Sequence, residues 1–265
     1  MKKTIKQFLH KNGWYYPIRY SAIFRLYQRF FKPHEASDSR RETIFYKSFL
    51  PHCSLVFDIG ANDGHKTEAF LDFADNIVSC EPDAENFRLL TSRFWNKKNR
   101  VFLENKALAD HAGAVVLHIH HPGSAFNTLS DKWQGILEKN GENRWGEKIA
   151  FAGKQEVSAI TLDILIAKYG RPGFIKIDVE GFEEMVLNGL SSRVPYLSFE
   201  SLMPEYSREF AACLSRIQAI DPGSKFNISV HEKLELAEFV DRSNLEEWIT
   251  GNISNTGFEV IVKMS

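Results

Sequence analysis

At 265 residues and a formal net charge of −1, the chain is long enough for one sizeable α/β domain and carries no whole-protein basic field. That balance argues against a nucleic-acid binder. Cys53, Cys80 and Cys213 stand far apart with no C-x-x-C pair, which reads as reduced structural thiols in a cytoplasmic setting and offers no metal-ligand spacing.

The first 33 residues break the average. Lys2, Lys3, Lys6, Lys11, Arg19, Arg25, Arg29 and Lys32 alternate with aromatics such as Phe8, Trp14, Tyr20 and Phe30, with no acid among them. No uninterrupted apolar stretch suffices for a signal-peptide core or a membrane span. Two readings fit: peripheral contact with the inner membrane surface or an anionic lipid or glycan carrier, or a helical extension packing its aromatics on the main domain. Pro17 divides the segment into two short helices. Residues 33–40 read as a polar connector, so 1–40 forms an extension and 41–265 the main domain.

A helix from about Arg41 to Leu50 leads to a continuous apolar run, Ser54–Ile59, the pattern of a parallel strand buried on both faces. Gly60-Ala-Asn-Asp-Gly64 turns into a helix over Lys66–Phe73, and a second run, Ile77–Cys80, ends at Glu81. An acid about twenty residues beyond the first glycine suits ribose hydroxyls. A pyrophosphate cradle needs G-x-G-x-x-G, because its second glycine lets the backbone approach phosphate. Asn62 takes the middle position here, and Asp63 would repel a diphosphate while tolerating a cation. S-adenosylmethionine, with its ribose and sulfonium, fits this half-site; a nicotinamide-dependent oxidoreductase is the weaker reading.

Asp83 is placed to cap a following helix. Arg100–Glu104 reads as a third strand and Ala114–His120 as a half-exposed one. From 121 to 156 the pattern dissolves around Phe126, Trp133, Trp145 and Phe151. So long a connection is a candidate substrate lid, with both tryptophans offering faces for sugar rings or covering the sheet edge. Val157–Leu162 resumes as a strand and Asp163–Tyr169 as a helix. Phe174–Asp178 is strand four, Phe182–Asn188 a helix, Pro195–Glu200 strand five and Arg208–Ala219 a helix. Phe226–His231 and Phe258–Lys263 form an antiparallel closing pair.

Asp58-Ile-Gly-Ala-Asn62, Cys80-Glu-Pro82, Thr161-Leu-Asp163, Ile175-Lys-Ile-Asp-Val-Glu-Gly181, Glu184 and Leu187-x-Gly189 together resemble the FkbM family of S-adenosylmethionine-dependent methyltransferases. The resemblance covers roughly residues 50–205, and its most specific element is Lys176-x-Asp178-x-Glu180-Gly181. It implies a doubly wound, mostly parallel seven-stranded sheet of the Rossmann-like class I methyltransferase type. It also implies O-methyl transfer, since members mostly methylate hydroxyls of polyketides, sugars and glycans. By position, Asp58, Gly60 and Asn62 would lie along the methionine part of the cofactor, Glu81 would take the ribose, and Asn105 and Ala107 would border adenine. Lys106 departs from the small or acidic side chain often found beside that position.

Transfer to a neutral hydroxyl needs an acceptor held in line with the methyl group and a base for its proton. Lys176 and Asp178 lie two apart and share a strand face, with Glu180 just past the strand end. Asp178 is expected near the cofactor's methionine end or at the acceptor, and Glu180 as acceptor ligand or base. Lys176 either pairs with a neighbouring acid or touches substrate. His65, at a helix start, is a second candidate base. Glu200, ending strand five, is a candidate for the acceptor pocket. His118 and His120 share a face that is either solvated or metal-holding. The expected acceptor is a saccharide or a small secondary metabolite, and the sequence leaves the oligomeric state open.

Overall fold

The computed structural model describes residues 33–139, 149–253 and 257–265, with side chains described from residue 40 onward. The basic aromatic residues 1–32 and the candidate stacking residue Trp145 lie outside the described residues. Helix α1 (Pro33–Phe49) absorbs the stretch read as a connector. Proline suits a helix's first turn, where its missing N–H has no partner to lose, and no glycine interrupts the later turns.

Seven strands form the main sheet. In chain order they are β1 (Cys53–Ile59), β2 (Ala74–Cys80), β3 (Val101–Glu104), β7 (Phe174–Ile177), β8 (Tyr196–Leu202), β9 (Lys225–Ser229) and β10 (Gly257–Lys263). Their spatial order is β3-β2-β1-β7-β8-β10-β9. The first five run parallel, and β10 pairs antiparallel with both β8 and β9. This is the seven-stranded, mostly parallel, doubly wound sheet expected, including the antiparallel closing pair.

Alternation along the strands builds two cores. Phe57, Ile59, Ile175, Ile177, Leu197 and Phe199 face α5 (Leu162–Tyr169), α6 (Glu183–Asn188), α7 (Ser207–Ile220) and α8 (Arg242–Asn252). Val56, Phe174 and Ile261 face α1, α2 (His65–Phe70) and α3 (Ala84–Arg93), where Tyr46 packs edge-on against Phe70. Fully burying a Phe or Leu side chain is worth roughly 1.5–3 kcal/mol, so this double layer fixes each strand's register. The chain order reverses between β1 and β7, and ligands of such sheets bind over the strand ends at that point.

A second, three-stranded sheet, β4 (Ala107–Leu108), β6 (Gly153–Ile160) and β5 (Gly113–Ile119), carries the segment read as patternless. There the structure adds a helix, α4 (Asp131–Lys139), that buries Trp133 and Leu137. No helix among the described residues is long and apolar enough to cross a membrane.

Candidate active site

The turn after β1 brings two strand ends into contact. Gly60 has φ +79, and a Cβ there would lie 1.8 Å from the Asp178 carbonyl oxygen. Only glycine meets both demands. Asn62 is also left-handed, φ 49, a conformation asparagine tolerates better than most residues. Its N–H thereby points at Glu81 Oε2, 2.8 Å away, while Asp83 N–H donates to Glu81 Oε1 at 2.8 Å.

Glu81 is therefore fixed at both oxygens by backbone. Burial raises its pKa to about 7 against the pull of those two N–H groups. A carboxylate offers about four lone-pair positions, so two remain for ribose hydroxyls. Asp83 caps α3 as expected, accepting from Glu85 and Asn86 N–H, both 2.9 Å. It also ties down the segment above the site, accepting from Gly123 N–H and Asn127 Nδ2.

A cavity of about 780 Å3, open to solvent at its mouth, lies over these strand ends. Gly60, Asn62, Glu81, Ala107, Asp178 and Glu180 line it, as do His65 and Lys176. Ser124, Asn127 and Thr128, from the segment read as a lid, also line it, as does Asn86, which carried no sequence signal. The Asn86 Oδ1 acceptor is buried with no hydrogen bond among the described residues.

Two expected cofactor contacts sit behind the wall instead. Asp58 is 0 % exposed and does not line the cavity. Its strand face points under α2, where Oδ2 accepts from Thr67 Oγ1 at 2.5 Å and Ser79 Oγ joins Thr67 at 2.8 Å. Asn105 is exposed and uses its amide to hold the Glu81 and Pro82 carbonyls, at 2.8 and 3.2 Å. Lys106 does line the cavity, but its ammonium is turned to Ser158 Oγ, 2.8 Å away.

His65 lines the cavity, yet Nδ1 lies 2.9 Å from Asp63 and Nε2 lies 3.5 Å from Glu42. Both ring nitrogens of this candidate base face carboxylates, Asp63 at hydrogen-bond distance and Glu42 farther off. Burial pushes Asp63 up, but the His65 hydrogen bond and Arg93 outweigh it and hold its pKa at about 2.

The strand-four acids follow β7. Lys176 Nζ bonds Asp178 Oδ2 at 2.6 Å, so of its two expected roles the structure gives pairing with a neighbouring acid. Burial raises Asp178, but Lys176 more than reverses this, and the carboxylate stays charged. Glu180 and Gly181 turn the chain with φ 55 and 87, and a Cβ on Gly181 would fall 2.4 Å from the Tyr206 hydroxyl. A left-handed non-glycine residue costs roughly 1–2 kcal/mol. Thr128 Oγ1 offsets this by holding the Glu180 carbonyl at 2.7 Å. Glu183, which had not been singled out, accepts from Val179 and Gly181 N–H at 3.0 and 3.3 Å and braces the same turn. Burial and the Asp178 charge lift Glu180 to about 8, and burial and its acidic neighbours push Glu200 well up. Oxygens of Asp178, Glu180 and Glu200 lie within 4.8 Å of one another. Hard cations favour such all-oxygen sets, although carboxylates with raised pKa can equally share protons.

Trp133 is 1 % exposed, edge-on to Tyr206 with its indole N–H toward Glu180. It is a wall of the acid cluster rather than a stacking face, because α4 turns it inward. His118 is likewise buried against Asp131, 2.8 Å away, while His120 turns to the Ala150 carbonyl, so the two do not pair as metal ligands.

The residues present fit S-adenosylmethionine: a backbone-fixed acid with lone pairs to spare would suit ribose hydroxyls, and carboxylates lining the same cavity would suit a positively charged sulfur. A family model described as the methyltransferase FkbM domain matches residues 58–218. None of the curated proteins matches the chain in sequence. The methyltransferase FkbM structure from Methylobacillus flagellatus KT is 16% identical at a TM-score of 0.49, with 72% of this chain covered. The chain spans 44% of that structure's length. The plantazolicin methyltransferase BpumL, solved in complex with S-adenosylhomocysteine, is 13% identical at a TM-score of 0.40, covering 100% and 99% of the two chains. Precorrin-6y C5,15-methyltransferase from Geobacter metallireducens GS-15 is 10% identical at 0.42, covering 85% and 87%. The family match sets the nicotinamide reading aside. It runs over more than half of the sequence, from the first strand's acid to the helix after the fifth parallel strand, and the chain belongs to the FkbM family of S-adenosylmethionine-dependent methyltransferases.

Proposed function

We propose that the chain transfers a methyl group to a hydroxyl oxygen, and that the acceptor is a saccharide or a glycan. The observation that carries the reading is the meeting of three carboxylates, Asp178, Glu180 and Glu200, the first two of which line the cofactor cavity. A hydroxyl needs a proton acceptor within reach as it becomes an ether. The family resemblance supplies the saccharide.

When bound, the cofactor supplies an electrophilic methyl group on a positively charged sulfur. Glu81 holds ribose through its two remaining lone-pair positions, and the Gly60 turn keeps that end of β1 against Asp178. Asp178, held charged by Lys176, gives the positive sulfur a counter-charge. In the ligand-free protein Glu180 and Glu200 favour their protonated forms. A positive charge nearby lowers a carboxyl pKa and so readies these groups as bases. Glu200 would take the hydroxyl proton on a carboxylate oxygen as the acceptor oxygen gains the methyl group that the cofactor would give up with its sulfur's positive charge. One positive and one negative charge vanish together, which suits a partly desolvated pocket.

The test uses methyl-labelled cofactor with saccharides, polyketide alcohols and other small hydroxyl compounds. Label should appear as an acid-stable ether on one class. General-base catalysis is worth roughly 10²–10⁴-fold, so Glu200→Gln should lower kcat by that order with little change in cofactor KM. Transfer to nitrogen or carbon alone, or none to any hydroxyl compound, defeats the proposal; transfer only to the non-sugar alcohols removes the saccharide part.

A further inference from the structure

Beyond the Lys176–Asp178 pair lies a second cavity, of about 620 Å3, that shares Lys66, Lys176 and Asp178 with the first. It sits over β8, β9 and β10, and no motif in the sequence points to it. Its walls include Glu200, Ser229, Glu232 and Glu259.

Two features mark it as a place for a cationic ligand. Glu200 and Glu259 are direct partners across the antiparallel β8–β10 pair. Like charges directly opposite on a sheet destabilise it. The nearby cations are already engaged: Lys176 bonds Asp178 at 2.6 Å, and Lys66 lies 3.0 Å from Glu42 and 3.8 Å from Glu232. Glu259 accepts only a 3.3 Å bond from Tyr46 Oη, and Glu200 has no hydrogen bond or ion pair among the described residues. Secondly, Ser229 is 4 % exposed, pairs in register with Glu259 and lines the cavity, yet its hydroxyl has no hydrogen-bond partner among the described residues.

We propose that this cavity receives the methyl acceptor and selects a hydroxyl compound carrying a protonated amine, such as an amino sugar. This rests on the methyl-transfer reading above. The ammonium lies between Glu200 and Glu259 with Ser229 beside it, and the reacting hydroxyl faces the Asp178 edge shared by the two cavities. A protonated amine has no lone pair, so pinning it there also directs the methyl group to oxygen. An anionic acceptor would add charge to walls where Asp178, Glu200, Glu232 and Glu259 face two lysines.

Calorimetry on the protein loaded with S-adenosylhomocysteine tests this, using chitosan tetramer, chitin tetramer and tetragalacturonate as matched cationic, neutral and anionic probes. The cationic probe should bind about tenfold tighter than the neutral one, the worth of one charge-assisted hydrogen bond. The anionic probe should bind weakest. Glu259→Gln, which keeps an oxygen for Tyr46, and separately Glu200→Gln should each erase most of the preference while S-adenosylhomocysteine still binds. Equal binding of the first two probes, a preference that survives both variants, or no binding of any probe overturns the inference. Failure of the wild-type protein to bind S-adenosylhomocysteine would instead strike the methyl-transfer reading.

Discussion

Replacing Gly60 by alanine probes the contact on which the site's geometry depends. The new Cβ would sit 1.8 Å from the Asp178 carbonyl oxygen, whereas real Cβ contacts essentially never fall below 3.0 Å, so the ends of β1 and β7 must part by at least 1.2 Å. The obstructing atom is backbone and cannot rotate away. The left-handed φ of +79 adds roughly 1–2 kcal/mol for any residue with a Cβ. For a domain of this size each kcal/mol lowers Tm by about 2–4 °C, so the backbone conformation alone accounts for a fall of several degrees. The catalytic loss should be larger than the stability loss. A misplacement of about 1 Å can cost 10²-fold in rate, and Asp178 is the residue displaced. Thermal unfolding, S-adenosylhomocysteine calorimetry and single-turnover methyl transfer measure the three effects. Gly135→Ala serves as the control, since nothing lies within 4 Å of a Cβ in that helix position. It should hold or raise stability by up to about 1 kcal/mol. A Gly60→Ala protein with unchanged Tm and ligand affinity within twofold of wild type would refute the reasoning.

Glu81→Ala removes the ribose acceptor and strands the Asn62 and Asp83 N–H groups. At roughly 1–3 kcal/mol for such a loss, calorimetry should show S-adenosylhomocysteine binding weakened by about fivefold or more; wild-type affinity would mean that ribose is held elsewhere. Stability of the ligand-free protein should fall as pH rises. Burial lifts Glu81 and Glu183 to about 7 and Glu180 to about 8 from an ordinary 4.5, so the folded state holds protons that the unfolded chain has released. Their contribution is complete below about 4.5 and is lost through pH 7–8. Asp63, at about 2, acts oppositely and costs stability only on strong acidification. Urea midpoints at pH 5, 7 and 9 should therefore decline in that order and flatten in Glu180→Gln; a rise towards pH 9 would contradict the assigned burial.

The parallel core was readable because a strand buried on both faces leaves a mostly apolar run, as Val56–Ile59 and Phe174–Ile177 do with only Asp58 and Lys176 interrupting. The Asp83 cap was readable because capping is local chemistry. Helix α4 was not, although Trp133, Ile136 and Leu137 recur at helical spacing, because Gly135 and the polar residues around it mimic a loop. The same spacing turns Trp133 inward, so an aromatic that looks like a sugar platform in sequence is a buried wall in space. Asp58 misled for a geometric reason. Reading it as a ligand assumed that an acid near a strand's end faces the crevice, whereas alternation sends its side chain beneath α2 to Thr67.

Of the second cavity the sequence showed single residues, Lys176, Asp178 and Glu200, but not their assembly with Ser229 and Glu259, because its walls come from α2 and from the ends of four strands. Glu200 and Glu259 lie far apart in sequence and become opposite neighbours only through the antiparallel register of β8 and β10. That register is set by the adjacent apolar pair, Phe199 and Val260, which the core would not release for a one-residue slip. The acids are thus held together by packing forces that take no account of their charge. A fold bearing such a pair needs either a proton on one acid or a cation between them. The raised pKa of Glu200 describes the first state, and an arriving ammonium would produce the second by displacing that proton. Binding of a cationic acceptor should therefore release protons, a signal that calorimetry in two buffers of different ionisation enthalpy would detect and that a neutral acceptor would not give.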